Sequence, residues 1–135
     1  MSRKHTCFYA MLLLGLGSAV IAAEPLRQHP GPDGIIAVEA EHFDQNVAAP
    51  DGHGWVQVGP TAGFTGAVGM QALPNVGVSR RDTYATESPR LDFKINFVKS
   101  GTHYIWMRAW AAGGNDDSCH AGLDNAPAST AHRIN

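Results

Sequence analysis

The chain has 135 residues, 10 basic and 12 acidic side chains and a formal net charge of −2, with 44% hydrophobic residues. A mildly acidic chain without a basic stripe argues against nucleic acid as a partner. The length bounds the answer to one modest domain.

From the first residue on, the pattern is that of an exported precursor. Arg3 and Lys4 form a short positive start, Met11–Leu16 opens an apolar run that continues to Ile21, and small Ala22 and Ala23 precede polar Glu24-Pro25. This order predicts a secretory signal peptide over 1–23, the run being too short for a comfortable membrane span. An uncleaved N-terminal anchor is the alternative. Cys7 precedes the apolar run, which argues against a lipid-anchored cysteine at the cleavage point. Removal of 1–23 leaves about 112 residues, in which Cys119 is the single cysteine and no internal disulfide can form. Cys119 is expected to behave as a small hydrophobe.

Residues 24–33 (EPLRQHPGPD) are proline-rich and polar, the composition of a linker or leading arm. From Gly34 the period is two. Ile36, Val38 and Ala40 alternate with Ala37, Glu39 and Glu41, predicting a strand with one apolar face. Residues 44–54 are turn chemistry, Trp55–Val58 a short strand, Gly59–Gly66 a loop, and Ala67–Leu73 a strand stopped by Pro74. The polar stretch 75–89 lacks a helical period and is expected to be a long connection. In Arg90–Lys99, Leu91, Phe93, Ile95 and Phe97 alternate strictly with polar residues, as in a strand with one buried face. Thr102–Ala111 is apolar on both faces, predicting a central strand with Trp106 and Trp110 in the core. Gly113–Asp117 is a loop, and Ser118–Leu123 a last strand ending at Asp124-Asn125. Short strands separated by turns predict an all-β antiparallel sandwich over 34–135.

The strings IIAVEAEHF, GMQALPN and SPRLDFKINFVKSGTHYIWMRAWAAGGNDDSCHAGLD occur in an order that resembles the carbohydrate-binding jelly rolls of the galactose-binding-like superfamily. They are closest to families 6 and 35 of the carbohydrate-binding modules, and the resemblance runs from about Gly34 to Asn135. It implies a non-catalytic polysaccharide-binding domain and a structural calcium ligated from the opening strand by Glu39 and Glu41. It also implies further strands after Asp124, with a later aromatic and a C-terminal acid. The expectation is therefore a chain that lacks its last strands, with further domains of a larger parent protein possible. The competing expectations are a structural or adhesive surface domain, and the remnant of a larger secreted glycan-degrading enzyme.

The candidate chemistry follows from residue type and context. Glu39 and Glu41, two apart on a strand, leave one face about 7 Å apart and repel unless a cation sits between them. A solvated acidic edge is the plainer alternative. Trp55, after Gly-His-Gly, is a candidate stacking platform for a pyranose ring, with burial under the 75–89 connection as its rival. Tyr84 is a second candidate platform. Asn115, Asp116 and Asp117 offer hydrogen-bonding groups to sugar hydroxyls, or are ordinary turn residues. Arg108, a fixed charge on a largely apolar face, calls for a partner.

Enzymatic patterns are weak. Ser118, His120 and Asp124 lack a nucleophile-elbow context. Two acids on one strand do not span a glycosidase cleft, and the seven histidines include no zinc spacing. No glycine-rich phosphate loop is present. The expected ligand is a glycan, held without bond breaking by an exported domain.

Overall fold

In a computed structural model, the described residues are 24–60, 63–64, 66–128 and 133–134. The expected signal peptide lies outside them, as does Cys7. Among the described residues no helix is long and apolar enough to cross a membrane. Strands dominate, in small two-stranded pairings, and the sole helix described is a single turn. The chain is all-β in character.

The strongest pairing is local. β3 (Gly54–Val58) runs antiparallel to β4 (Gly69–Leu73), with Trp55 opposite Ala72 and Val56 opposite Gln71. Both strands overlap the short strands expected at 55–58 and 67–73, and each is followed within two residues by a proline, Pro60 or Pro74, which has no N–H for a ladder. β2 (Gln45–Val47) pairs antiparallel with β5 (Arg90–Asp92). α1 (Tyr84–Glu87) forms one turn inside the 75–89 connection, where no helix is expected from the sequence. β7 (Gly122–Leu123) and β8 (Ala126–Pro127) form a tight hairpin. Its turn residues, Asp124 at φ 51° and Asn125 at φ 63°, are both left-handed. Asp and Asn are among the side chains that tolerate this conformation, so the two residues that end a strand in the sequence serve as the hairpin turn.

Residues 24–33 are not a free linker. β1 (Leu26–Arg27) runs parallel to β6 (Ile95–Asn96), with Leu26 opposite Ile95. Gln28 follows β1 and is the most buried side chain described, at 2% exposure. Lys99 Nζ reaches back to the carbonyls of Gly31 and Pro32. Gly34 closes this arm at φ +58°, and a Cβ there would stand 3.2 Å from both Gln28 Nε2 and Lys99 Cδ. Only glycine fits both that backbone and that space.

Three further expectations differ from the structure. The strand expected around 36–41 is absent, and these residues form turn and irregular backbone. The 90–99 strand divides into β5 and β6, because its two halves have different partners. At the break, the Lys94 amide donates to Asp44 Oδ2 at 2.6 Å while the Asp44 amide donates to the Asp92 carbonyl at 2.8 Å. The largest difference is 102–111, which is not a strand and is exposed throughout. Trp106 is 92% exposed and Trp110 64%, rather than core. No described strand lies beside this segment, so its main chain has no ladder to join. Side chains tether it instead. Arg108 donates to the Gly63 carbonyl at 2.6 Å, Cys119 Sγ meets Met107 Sδ at 3.2 Å, and His103 meets Gln28. Cys119 is half-buried, and that burial raises its thiol pKa. Ala49 is the one buried apolar residue among those described.

Candidate functional site

Two polar segments meet beside the β3–β4 hairpin. The first is the tight turn before β3, closed by the Ala49 amide on the His53 carbonyl at 2.7 Å and the Gly52 amide on the Ala49 carbonyl at 3.0 Å. The second is the end of the 75–89 connection. Trp55 joins them, because its indole Nε1 donates to the Pro89 carbonyl at 3.1 Å. Asn46 Nδ2 in turn donates to the Trp55 carbonyl at 2.7 Å, fixing the strand that carries the indole.

Arg80 is the second clasp. Its side chain is 13% exposed, and its guanidinium donates to an Asp51 carboxylate oxygen and to the Glu87 main-chain carbonyl. It thereby ties the turn, the connection and α1 together. Charge-assisted bonds of this kind are about twice as strong as neutral ones. The Arg80 NH2 also lies 3.1 Å from His53 Nδ1, which is itself 3.0 Å from Asp51 Oδ1. Nδ1 cannot accept from Arg80 and donate to Asp51 at once, so the proton position on His53 selects between these two partners.

Asp51 is the anionic centre of this network. Partial burial works to raise its pKa, but the His53 main-chain N–H, the His53 ring and Arg80 together lower it from 3.8 to about 2. A carboxyl whose folded pKa lies below its unfolded value adds stability above the unfolded value and loses it as pH falls through the folded one. The turn should therefore loosen as pH drops from about 4 towards 2. The His53 amide donates to Asp51 Oδ1 at 3.2 Å and reports on this directly. Its NMR resonance is expected to titrate with a midpoint near 2. In Asp51→Asn the titration should vanish, and its persistence would assign it to another group.

Between the two segments lies a groove of about 340 Å³, lined by Pro50, Asp51, Arg80 and Glu87. Tyr84 opens the same helical turn that Glu87 closes, and positions three apart on a helix are neighbours. Its ring stacks on His120 with centroids 3.7 Å apart and planes inclined by 4°. One face of Tyr84 is thus covered by imidazole, and the ring is held in a fixed plane.

Of the residues singled out in the sequence, Trp55 on β3 and Tyr84 on α1 are both half-buried, and Trp55 is bonded to Pro89 at the end of the 75–89 connection. The structure brings them to the same clasped region. Asn115, Asp116 and Asp117 lie in a separate exposed loop, closed by the Asp116 amide on the Gly113 carbonyl at 3.0 Å. No hydrogen bond or ion pair among the described residues joins that loop to the groove. Glu39 is exposed and Glu41 half-buried on irregular backbone. No group of three or more His, Cys, Asp or Glu side chains placed to hold a metal occurs among the described residues. Calcium takes six to eight oxygens, so a site at Glu39 and Glu41 would need main-chain carbonyls or waters as well. Asp51, His53, Arg80 and Glu87 are not legible as a site in the sequence. The only signal for them is a lone arginine pair, Arg80-Arg81, in a polar connection.

No family model and no solved structure matches the chain. An uncharacterized protein of Formosa agariphila is similar to it, 26% identical over 117 residues and covering 68% of this chain. The chain spans 28% of the length of that relative.

Proposed function

We propose that the chain is an exported, non-catalytic glycan-binding module of the β-sandwich (jelly-roll) kind. The observation that carries this reading is the Arg80 clasp, which shapes a polar groove against the helical turn that also carries the fixed ring of Tyr84. Sugars are recognised by hydrogen bonds to their hydroxyls and by stacking of their C–H faces on aromatic rings. Both need donors, acceptors and rings already in position, because ordering them on binding weakens affinity. A stacking ring adds on the order of 1 kcal/mol beyond its buried area, so affinity rests on few groups. Trp55 contributes as a support, its indole N–H being committed to Pro89.

Affinity electrophoresis of the chain through a panel of plant and algal polysaccharides tests the reading. Retardation is expected on at least one glycan. Arg80→Ala should abolish it and Tyr84→Ala should weaken it several-fold. Unchanged retention of both variants would dismiss the groove, and no retardation on any glycan would dismiss the function. A second reading, a structural or adhesive domain, is favoured by the exposed apolar residues of 102–111. The greater length of the relative is compatible with a module carried by a larger secreted protein.

A further inference from the structure

The charges around the groove narrow the class of sugar it takes, an inference that rests on the glycan-binding reading above. Arg80 is the one cation among the described lining residues, and its guanidinium is occupied by Asp51 and by the Glu87 main-chain carbonyl. With its side chain 13% exposed, it has little surface left for an incoming anion. Arg81, the next residue, is exposed and does not line the groove, and Asp82 beside it offsets its charge. The remaining charged groups of the lining are the carboxylates of Asp51 and Glu87. The Asp51 side chain is 45% exposed, so its oxygens face solvent as well as Arg80. Each carboxylate oxygen has two lone pairs, so Asp51 Oδ2, which Arg80 meets, keeps acceptor capacity, and Oδ1, which faces the His53 amide and ring, keeps it only when His53 Nδ1 carries no proton. The Glu87 carboxylate forms no ion pair with a described residue. The groove therefore presents acceptors and a net negative charge.

We propose that this groove is a subsite for an uncharged sugar unit, whose vicinal hydroxyls donate to the Asp51 and Glu87 carboxylates, and that it rejects uronate and sulfated units. Hydroxyl pairs on adjacent ring carbons match the two oxygens of a carboxylate. A sugar sulfate or carboxylate offers only acceptors and a like charge, which is repelled at close range where the medium screens poorly.

Matched probes test this on the full chain: xylan, galactan and mixed-linkage glucan, each with its chemically sulfated derivative, in affinity electrophoresis at fixed ionic strength. Retention is expected on at least one neutral polymer, with affinity for its sulfated derivative at least about tenfold lower. Glu87→Gln should narrow that ratio to within a few-fold, and Asp51→Asn should narrow it further where the turn stays intact. Asp33→Asn removes the same charge outside the groove and should leave the ratio unchanged. Equal or stronger retention on the sulfated polymer overturns the inference while leaving glycan binding in place. So does a ratio that moves equally in Glu87→Gln and Asp33→Asn, because general repulsion then accounts for it. Retention on no polymer overturns the glycan-binding reading and this inference with it.

Discussion

Gln28→Ala is expected to release the leading arm from the 95–99 segment and to cost about 2–4 kcal/mol. The Gln28 amide is fully used. Its Oε1 accepts the amides of Val98 at 3.0 Å and Lys99 at 2.9 Å, and its Nε2 donates to the Gly34 carbonyl at 2.8 Å. The last amide hydrogen points to His103 Nε2 at 3.1 Å. That assignment is self-consistent, since His103 Nδ1 lies 3.0 Å from the Gly101 carbonyl and donates to it, leaving Nε2 as acceptor. Phe97 packs edge-on against the same imidazole, with centroids 4.8 Å apart. Truncation to alanine orphans two amide donors and a carbonyl at a site that is 2% exposed. Groups left unpaired in such a place cost more than the net value of the bonds themselves. Hydrogen exchange at Val98 and Lys99 is the direct measurement. Both amides should lose protection in Gln28→Ala, and unchanged protection would show that Gln28 is not the fastener. Gln28→Glu sharpens the test. It keeps the acceptor for the two amides but turns its other oxygen towards a carbonyl and an imidazole acceptor. Val98 and Lys99 should therefore keep their acceptor while the contact to the Gly34 carbonyl is lost.

Gln28 also shows where the sequence stops being informative. A glutamine in a proline-rich polar stretch carries no local sign of burial, because its burial is set by backbone groups some 70 residues away. β3 and β4, in contrast, were legible almost to the residue. Their short apolar runs, the flanking glycines and Pro74 are local signals, and the pair closes on itself. Alternation in 90–99 holds for half-buried Leu91, Phe93 and Ile95 but not for Phe97, which is 41% exposed, and period two says nothing about whether one partner or two lie alongside. The Asp44 carboxylate decides that by taking the Lys94 amide out of the ladder. The site divides the same way. Trp55 and Tyr84 stand out because aromatics beside polar loops are chemically distinctive, although both are half-buried in the structure. Asp51 and Arg80 look like ordinary turn and connection residues until 29 positions of chain are folded to bring them together.

The segment 102–111 carries the other large expected effect: the chain should self-associate, and Trp106→Ser with Trp110→Ser should suppress it. Tyr104 is 81% exposed, Ile105 51%, Trp106 92%, Met107 52% and Trp110 64%. Trp106 and Tyr104 alone present roughly 400 Å² of largely apolar surface, comparable with the largest patch on a typical monomer. At about 25 cal/mol per Å², covering that area releases roughly 10 kcal/mol of gross hydrophobic free energy. Association costs about 4–15 kcal/mol in lost freedom, so the patch is large enough for concentration-dependent association. Among the described residues no backbone hydrogen bond satisfies the main chain of 102–111 either, which leaves an open template for another strand. Arg108 limits how two copies could pair, because antiparallel registers that set Arg108 against itself bring like charges together, whereas Arg108 opposite Trp106 pairs a cation with a ring. Light scattering coupled to size exclusion, over two decades of concentration, should show mass rising with concentration in the wild type. The double serine variant should need at least about tenfold more protein to reach the same mean mass. Arg108→Glu, which keeps the aromatics but reverses the charge, should weaken association less than the double variant does. A wild-type chain that stays monomeric at every concentration would mean that these side chains are covered within the monomer, and the exposed run would then lose its place as an interaction surface.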